Sequence, residues 1–271
     1  MKVARSLKNE AKKYIEIMRM SMYELFASPM NFYGRLLVHA LRITTLGIVY
    51  TFVYQVSGKS EVQGTTSVDI VWSLALVQLV YQSSRSTFEM MKDEILSGQI
   101  ETRMNKPYSF IAAAFFEAVG QSPLKFLSFT AVTVFVLGLF FGFPSLEIWQ
   151  IAGSAVLYIL GVCLYVLLLE IIGLTAFWLE NPDPVYWIVS KLSWVFNGTF
   201  VPLVLLPPFF RIAADFFPVS APFYIGRIFE VSTYWDLMRL ILLQVGWLFV
   251  YIGVARVLYR RGIRKVSIHG G

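Results

Sequence analysis

The sequence predicts an all-α polytopic membrane protein, and two observations carry this prediction. Of the 271 residues, 57% are hydrophobic and only 15% are charged, whereas a soluble domain carries roughly 25% charged residues. The apolar residues also gather in runs of the length that crosses a bilayer as a helix, about 20 residues. No segment between these runs could form a soluble domain, so residues 1–271 are predicted to form a single transmembrane domain.

Six apolar segments predict six transmembrane helices. The predicted spans are residues 32–56, 68–90, a segment within 110–143, 146–179, 184–206 and 234–258. The third and fourth segments are long for a straight span. Pro123 is the expected break in the third, because proline cannot continue a helical hydrogen-bond ladder.

The first 30 residues form a different kind of element. Within residues 1–30, basic and apolar side chains alternate at helical spacing over residues 5–26, and the sequence SPMN follows. This pattern predicts an amphipathic helix that lies along the cytosolic membrane face. The alternative is a cytosolic extension of the first span.

The segment before the last span is apolar but rich in proline. Five prolines interrupt residues 199–232, which excludes one continuous helix there. We expect short, broken helices over residues 207–232 that enter the outer leaflet and pack against the bundle, since non-helical backbone at that depth must be buried in protein.

Lysine and arginine residues predict the orientation. Six precede the first span, four lie in the loop after the second, including Arg85, and five lie at the end of the chain. Only Lys59, Arg211 and Arg227 lie in loops on the other side. Because basic loops stay in the cytosol, both termini are predicted to be cytosolic, including the basic tail over residues 259–271.

Few residues are suited to catalysis. The chain has two histidines and one cysteine, too few for metal clusters of the usual spacing, and a Ser-His-Asp site would need His39 as its base. The sequence SGKS at residues 57–60 resembles the end of a phosphate-binding loop, but Val53 stands where that motif needs glycine. We therefore assign no catalytic residue, no metal ligand and no cofactor to the chain.

Charged side chains inside predicted spans are costly and therefore indicate function. Arg35, His39 and Arg42 share one face of the first span and could line a cavity for an anionic or polar substrate. Alternatively, Arg35 reaches the cytosolic interface and the other two pair with neighbouring helices. Glu170 in the fourth span is a candidate partner for Lys191 in the fifth.

Residues 91–109 form a polar loop between the second and third spans, with an expected helix break at Gly98 and a stop at Pro107. Together with the six spans, the sequences EILSGQIETRMNKPYSF (94–110), FWLEN (177–181) and YRRGIRKVSIHGG (259–271) resemble the permease subunits of type-two ATP-binding-cassette exporters. The likeness is greatest to a subfamily of small six-span bacterial permeases. Ile100, Met104 and Val266 depart mildly from that subfamily's pattern.

The resemblance implies that the loop at 91–109 is a coupling helix, which docks on a separate ATPase subunit. Its charged side chains would meet that partner, and its apolar ones would anchor it. A membrane-surface loop with no partner is the alternative. The residues expected to carry the coupling are Asp93, Glu94, Ile95, Leu96, Ile100, Glu101 and Arg103.

The resemblance also implies an assembly. Two copies of the ATPase would bind ATP and Mg²⁺, and a second permease chain would complete the pathway, a related partner being favoured over an identical one. The pathway would lie between the first, second and fifth spans of the two halves, with the fifth helix broken near mid-membrane at Asn197, Gly198 and Pro202. The expected contacts also include membrane lipid, but no nucleic acid.

These observations favour a permease subunit of an ATP-driven exporter in the bacterial inner membrane, which is not itself an enzyme. An ion-coupled carrier is the alternative, with Glu170 as its candidate acid, although no internal repeat is visible. A membrane-embedded lipid-modifying enzyme would need clustered acids and histidines, which the sequence lacks. The substrate is not indicated by any residue.

Overall fold

The structure is a computed structural model that describes residues 2–62, 64–84 and 87–269. Arg85, counted above among the basic residues of the loop, and the final glycines of the tail lie outside these residues. Helices account for nearly all of the described chain, and a two-stranded hairpin, Glu61–Val62 (β1) with Thr65–Thr66 (β2), is the only sheet within it. The prediction of an all-α polytopic membrane protein is confirmed.

Eleven α-helices follow one another along the described residues. They are α1 Lys2–Glu24, α2 Pro29–Ser57, α3 Ser67–Ser83, α4 Thr87–Leu96, α5 Ile100–Met104, α6 Phe110–Gly120, α7 Ser122–Phe140, α8 Ile148–Gly173, α9 Asp183–Phe196, α10 Pro208–Phe216 and α11 Tyr234–His269. Short 3₁₀ helices lie between them at Leu25–Ala27, Leu174–Phe177, Leu203–Leu205 and Pro218–Glu230.

Four helical segments of the described chain are long and apolar enough to cross a membrane. They are Pro29–Ser57, Phe110–Phe140, Ile148–Phe177 and Tyr234–Lys265. They correspond to the first, third, fourth and sixth predicted spans. The third is interrupted where expected, because α6 ends at Gly120 and Pro123 is the second residue of α7.

The second and fifth predicted spans form shorter helices than expected. Helix α3 has 17 residues and ends at Ser83, where the next residue, Ser84, is extended, so the prediction of one helix over 68–90 is wrong. Helix α9 has 14 residues and ends before Asn197. Neither helix alone reaches the roughly 20 residues of a full span.

The N-terminal helix α1 is separate from the first span. A 3₁₀ turn and a non-helical Ser28 divide α1 from α2, so the alternative of a continuous extension is wrong. Helix α1 instead packs along α6, where the hydroxyl of Ser21 donates to the carbonyl of Glu117 at 2.5 Å. A Cβ atom on Gly120 would come within 2.6 Å of the Met18 backbone, so only glycine permits this approach.

The segment before α11 consists of short helices packed into the bundle, as expected. Most of Pro218–Glu230 is buried, and the segment packs against α3, α8 and α11. Its ends are fixed by polar contacts: Asp215, buried, accepts hydrogen bonds from Arg227 and from Arg239. The hydroxyl of Tyr251 in α11 donates to the carbonyl of Pro218 at 2.6 Å.

Candidate functional site

The polar loop forms two short helices around a left-handed glycine. Helix α4 ends at Leu96, and Gly98 has φ = 75°, a conformation that glycine adopts at little cost. Helix α5 then runs for five residues to Met104, and Asn105 ends it before Pro107. The predicted break at Gly98 and the stop before Pro107 are both present.

One side of this loop is buried in a cluster that we call the loop cluster. It joins α4 and α5 to α6, to the end of α8 and to α11. Its buried members are Met91, Ile95, Ile100, Phe110, Ala114, Leu174, Ala176, Phe177 and Ala255. Ile95 and Ile100 are 8% and 1% exposed, respectively. The expectation that these two side chains offer an apolar anchor to a partner is therefore wrong, because they fasten the loop to its own chain.

Two of the predicted coupling charges are also used within the chain. The guanidinium of Arg103 lies 2.8 Å from a carboxylate oxygen of Glu94 and 3.3 Å from one of Glu117. All three side chains are largely buried. Because they come from α5, α4 and α6, this network holds the three helices together.

The opposite side of the loop is exposed and mixes apolar with charged side chains. Leu96 is 47% exposed and Met104 is 40% exposed. We call this surface the docking face, and its members are Asp93, Leu96, Glu101, Met104 and Lys106. Thus Asp93, Leu96 and Glu101 lie where a partner could touch them.

The connection between α8 and α9 reaches the same end of the bundle. Lys92 of α4 donates to a carboxylate oxygen of Asp183, the first residue of α9, at 2.9 Å. This hydrogen bond raises the pKa of Lys92 above its ordinary value. The loop therefore contacts the start of α9 as well as α6, the end of α8 and α11.

The tail of α11 completes the loop cluster, which sequence reasoning did not anticipate. The ring of Tyr259 stacks on that of Phe110 with centroids 5.8 Å apart, and Gly262 lies directly against Phe177. The three sequence segments that carry the family resemblance therefore meet in one place. The sequence showed that all three segments are present, but it did not show which of them contact one another.

A second candidate site is a pair of clefts at the same end of the bundle. Arg35 and Arg42 of α2 line a groove of about 600 Å³ with Gln82. Arg35 also borders a smaller cavity of about 160 Å³, whose polar lining includes Tyr81, Tyr165 and Tyr186, three residues that sequence reasoning missed. Helices α2, α3, α4, α8 and α9 contribute residues to these clefts.

His39 does not share the groove of the two arginines. It is fully buried, and its Nε2 lies 2.9 Å from the hydroxyl of Thr133 in α7. Its ring packs edge-on against Phe129 with centroids 5.2 Å apart. The hypothesis that Arg35, His39 and Arg42 line one cavity is wrong for His39, because a polar partner on α7 takes it into the helix interface.

Asn197 and Pro202 mark the end of the fifth predicted span. Asn197 is buried and donates to the hydroxyl of Tyr81, while its side-chain oxygen accepts from the backbone N–H of Thr199 at 2.9 Å. Gly198 follows with φ = 75°, and Pro202 precedes the next 3₁₀ turn. The expected break is present, and Asn197 ties it to α3.

Glu170 and Lys191 do not form the predicted pair. Glu170 is fully buried in α8, and among the described residues neither of its carboxylate oxygens has a hydrogen-bond partner. The ammonium of Lys191 lies 3.5 Å from the ring centroid of Trp194 instead. A cation over the face of tryptophan is stabilised by the ring electrons, which accounts for the position of Lys191 without a carboxylate.

The chain is similar to a known protein family. A family model described as ABC-2 family transporter protein matches residues 36–270. A comparison with curated proteins finds no match. The matched range contains the loop, both clefts and the tail.

Proposed function

Because this chain belongs to the ABC-2 transporter family and is a multi-pass membrane permease component of an ABC transporter, we propose that its docking face binds a separate ATPase subunit. The loop would carry the movement of that subunit into the bundle. The observation that carries this proposal is the division of the loop into two faces. One is sealed into the loop cluster, and the other exposes Leu96 and Met104 among charges.

The chemistry of the docking face suits a protein partner. Exposed apolar side chains ringed by charges are typical of interaction sites. Leu96 and Met104 supply apolar area, while Asp93, Glu101 and Lys106 supply charges of both signs. The loop would also be rigid enough to transmit force, since Ile95, Ile100 and Arg103 fix it to its own chain.

The rest of the assembly follows from this role. We propose two ATPase copies, which bind ATP and Mg²⁺, and a second permease chain, with a related chain favoured over an identical one. Lys13 of α1 donates to the carbonyl of Pro107 in the loop at 2.9 Å, and the loop cluster holds the loop against the end of α11 from which the basic tail continues. Basic segments therefore meet at the end of the bundle that carries the docking face. That end would therefore face the cytosol, in a bacterial inner membrane, with both termini inside.

The clefts beside Arg35 are the proposed start of the export pathway. Arg35, Arg42 and the hydroxyls of Tyr81, Tyr165 and Tyr186 would suit a substrate with an anionic or polar group. Asn197 is joined to this region by its hydrogen bond to Tyr81, and Pro202 follows it in the break of the fifth predicted span. Export is favoured over import by the likeness to type-two exporters.

Co-purification from native membranes tests the docking face. We expect the tagged wild-type chain to retain an ATPase in mild detergent, and Leu96→Asp to retain at least about tenfold less, since losing a central anchor typically costs that much. Leu96→Met is the matched control and should retain the ATPase. Both variants should melt at the wild-type temperature, because Leu96 lies outside the loop cluster.

A different substitution separates docking from folding. Ile95→Asp would place a charge in the loop cluster and should lower the melting temperature of the permease itself. If Leu96→Asp retains the ATPase as well as wild type does, or if no ATPase accompanies the wild type, the docking proposal is wrong.

An ion-coupled carrier is the second candidate, and Glu170 is the observation that favours it. A buried carboxylate without a partner among the described residues is costly and is typical of proton-coupled sites. Transport that continues without ATP hydrolysis, driven by an ion gradient, would support this alternative.

A further inference from the structure

A long apolar groove runs between α6, α8 and α11, and at one end it borders the loop cluster through Ala255 and Tyr259. Its volume is about 730 Å³, within the roughly 300–1,000 Å³ of small-molecule sites. Phe115 of α6, Cys163 and Leu167 of α8 and Ile252 of α11 belong to its walls. Among the described residues, no acidic side chain lines it.

Arginines stand at one end of this groove. Arg256 and Arg260 line it, four residues apart and hence on one face of α11. Both are exposed, and the described part of the chain shows no carboxylate within ion-pair distance of either. Ser109, at the start of α6, lines the same end. An anion placed there would meet two guanidinium groups, the side chains best shaped for phosphate.

The length of the groove matches one leaflet of a bilayer. Its lining on α11 runs from Leu248 to Arg260, which is about 18 Å at the rise of an α-helix. Half of a bilayer's hydrocarbon core measures about 15 Å. An acyl chain whose phosphate lies at Arg256 and Arg260 would therefore reach the deep end of the groove near Leu248.

We propose that this groove holds one anionic phospholipid, with an acyl chain along α11 and the headgroup phosphate between Arg256 and Arg260. Two arginines without an ion-pair partner among the described residues, placed at one end of an apolar groove, distinguish this site from general contact with lipid. A neighbouring cleft of about 300 Å³, which also borders Cys163, has no charged residue in its lining. That cleft therefore has no cation that could bind a headgroup phosphate. The proposal does not depend on ATPase docking.

Native mass spectrometry of the purified chain, with the subunits that remain bound to it, tests this site. Phosphatidylglycerol and phosphatidylcholine with identical acyl chains are the probes. We expect saturable retention of one phosphatidylglycerol per chain and weaker retention of phosphatidylcholine. Arg256→Ala and Arg260→Ala should each weaken phosphatidylglycerol binding about fivefold, the usual effect of one cation near an anionic lipid surface.

Three controls separate the contribution of the lipid headgroup to binding from that of its acyl chains. Arg261→Ala removes the same charge from the next position of α11, which does not line the groove, and should leave binding unchanged. Ala112→Trp fills the groove without altering charge and should abolish retention of both lipids. Glycerol phosphate, which lacks acyl chains, should not compete.

The single cysteine provides a second readout. Cys163 lines the groove, so bound phosphatidylglycerol should slow its reaction with an apolar maleimide. This measurement needs no substitution and therefore cannot be confused with a folding defect. Equal binding of the two lipids, equal effects of Arg260→Ala and Arg261→Ala, competition by glycerol phosphate, or no protection of Cys163 would each overturn the proposal.

Discussion

Gly262 of α11 lies against the ring of Phe177, so closely that a Cβ atom on Gly262 would come within 2.2 Å of Cδ2. No real Cβ atom tolerates that distance, so one of the two groups would have to move. Phe177 is itself buried in the loop cluster. The contact therefore fixes the tail helix to the loop, and its loss should disturb both.

Gly262→Ala should destabilise the protein. Overpacking of this kind costs about 1–3 kcal/mol, against which alanine gains up to about 1 kcal/mol in helix propensity. We expect a lower melting temperature in detergent. The matched control is Gly253→Ala on the same helix, where a Cβ meets nothing within 4 Å and the temperature should not fall. Equal melting temperatures for the two variants would contradict the close contact.

Arg103→Ala should loosen the loop without unfolding the bundle. The substitution removes the cation that contacts Glu94 and Glu117, and hydrogen bonds to charged groups contribute roughly 1.5–3 kcal/mol. Amide hydrogen exchange over residues 97–106 should become faster. Lys106→Ala, an exposed change in the same loop, should leave the exchange of these amides at the wild-type rate.

Asp215→Asn should lower the stability of the folded protein more than Arg239→Ala does, although the two residues contact each other. The side chain of Asp215 is 7% exposed and meets both Arg227 and Arg239. Removing one member of a buried ionic group costs about 3 kcal/mol or more. Arg239, at 64% exposed, should contribute below about 1 kcal/mol. Thermal unfolding of the two single variants measures this order, and equal losses would contradict it.

Glu170→Gln should keep the melting temperature at or above that of wild type. Neither carboxylate oxygen has a hydrogen-bond partner among the described residues, and a neutral amide costs less to bury than a charge. ATP-dependent transport should persist in this variant. Loss of transport at an unchanged melting temperature would instead favour the ion-coupled carrier.

Composition was sufficient to predict the class of fold, and local rules predicted several breaks. Gly98 interrupts the helical loop because it adopts a positive φ, and Pro123 interrupts the third span because proline has no backbone N–H. The end of α3 at Ser83 could not be predicted in this way, because no glycine or proline marks it. The polar run SSRST at residues 83–87 is the signal at this break, and the apolar residues on both sides of it were combined into one predicted span.

Within the candidate sites, the sequence identified the loop but did not predict which of its side chains are buried and which are exposed. Ile95 and Leu96 are neighbours of equal polarity, yet one is buried and the other faces outward, since the orientation of a short helix depends on distant parts of the chain. His39 shows the same limit. Its helical spacing predicted that it shares a face with Arg35 and Arg42. The hydrogen bond to Thr133, 94 residues away in the sequence, instead fixes the position of its ring.

Helix α11 is continuous over its 36 residues, a length of about 54 Å. Near one end, Tyr259 and Gly262 pack into the loop cluster. Towards the other, the side-chain amide of Gln244 donates to the carbonyl of Ala221 at 2.9 Å, in the short-helix segment. The helix thus connects the loop cluster to the segment Pro218–Glu230 as one continuous element. A displacement at the loop must either shift that segment with it or break these contacts, so the two regions are mechanically linked.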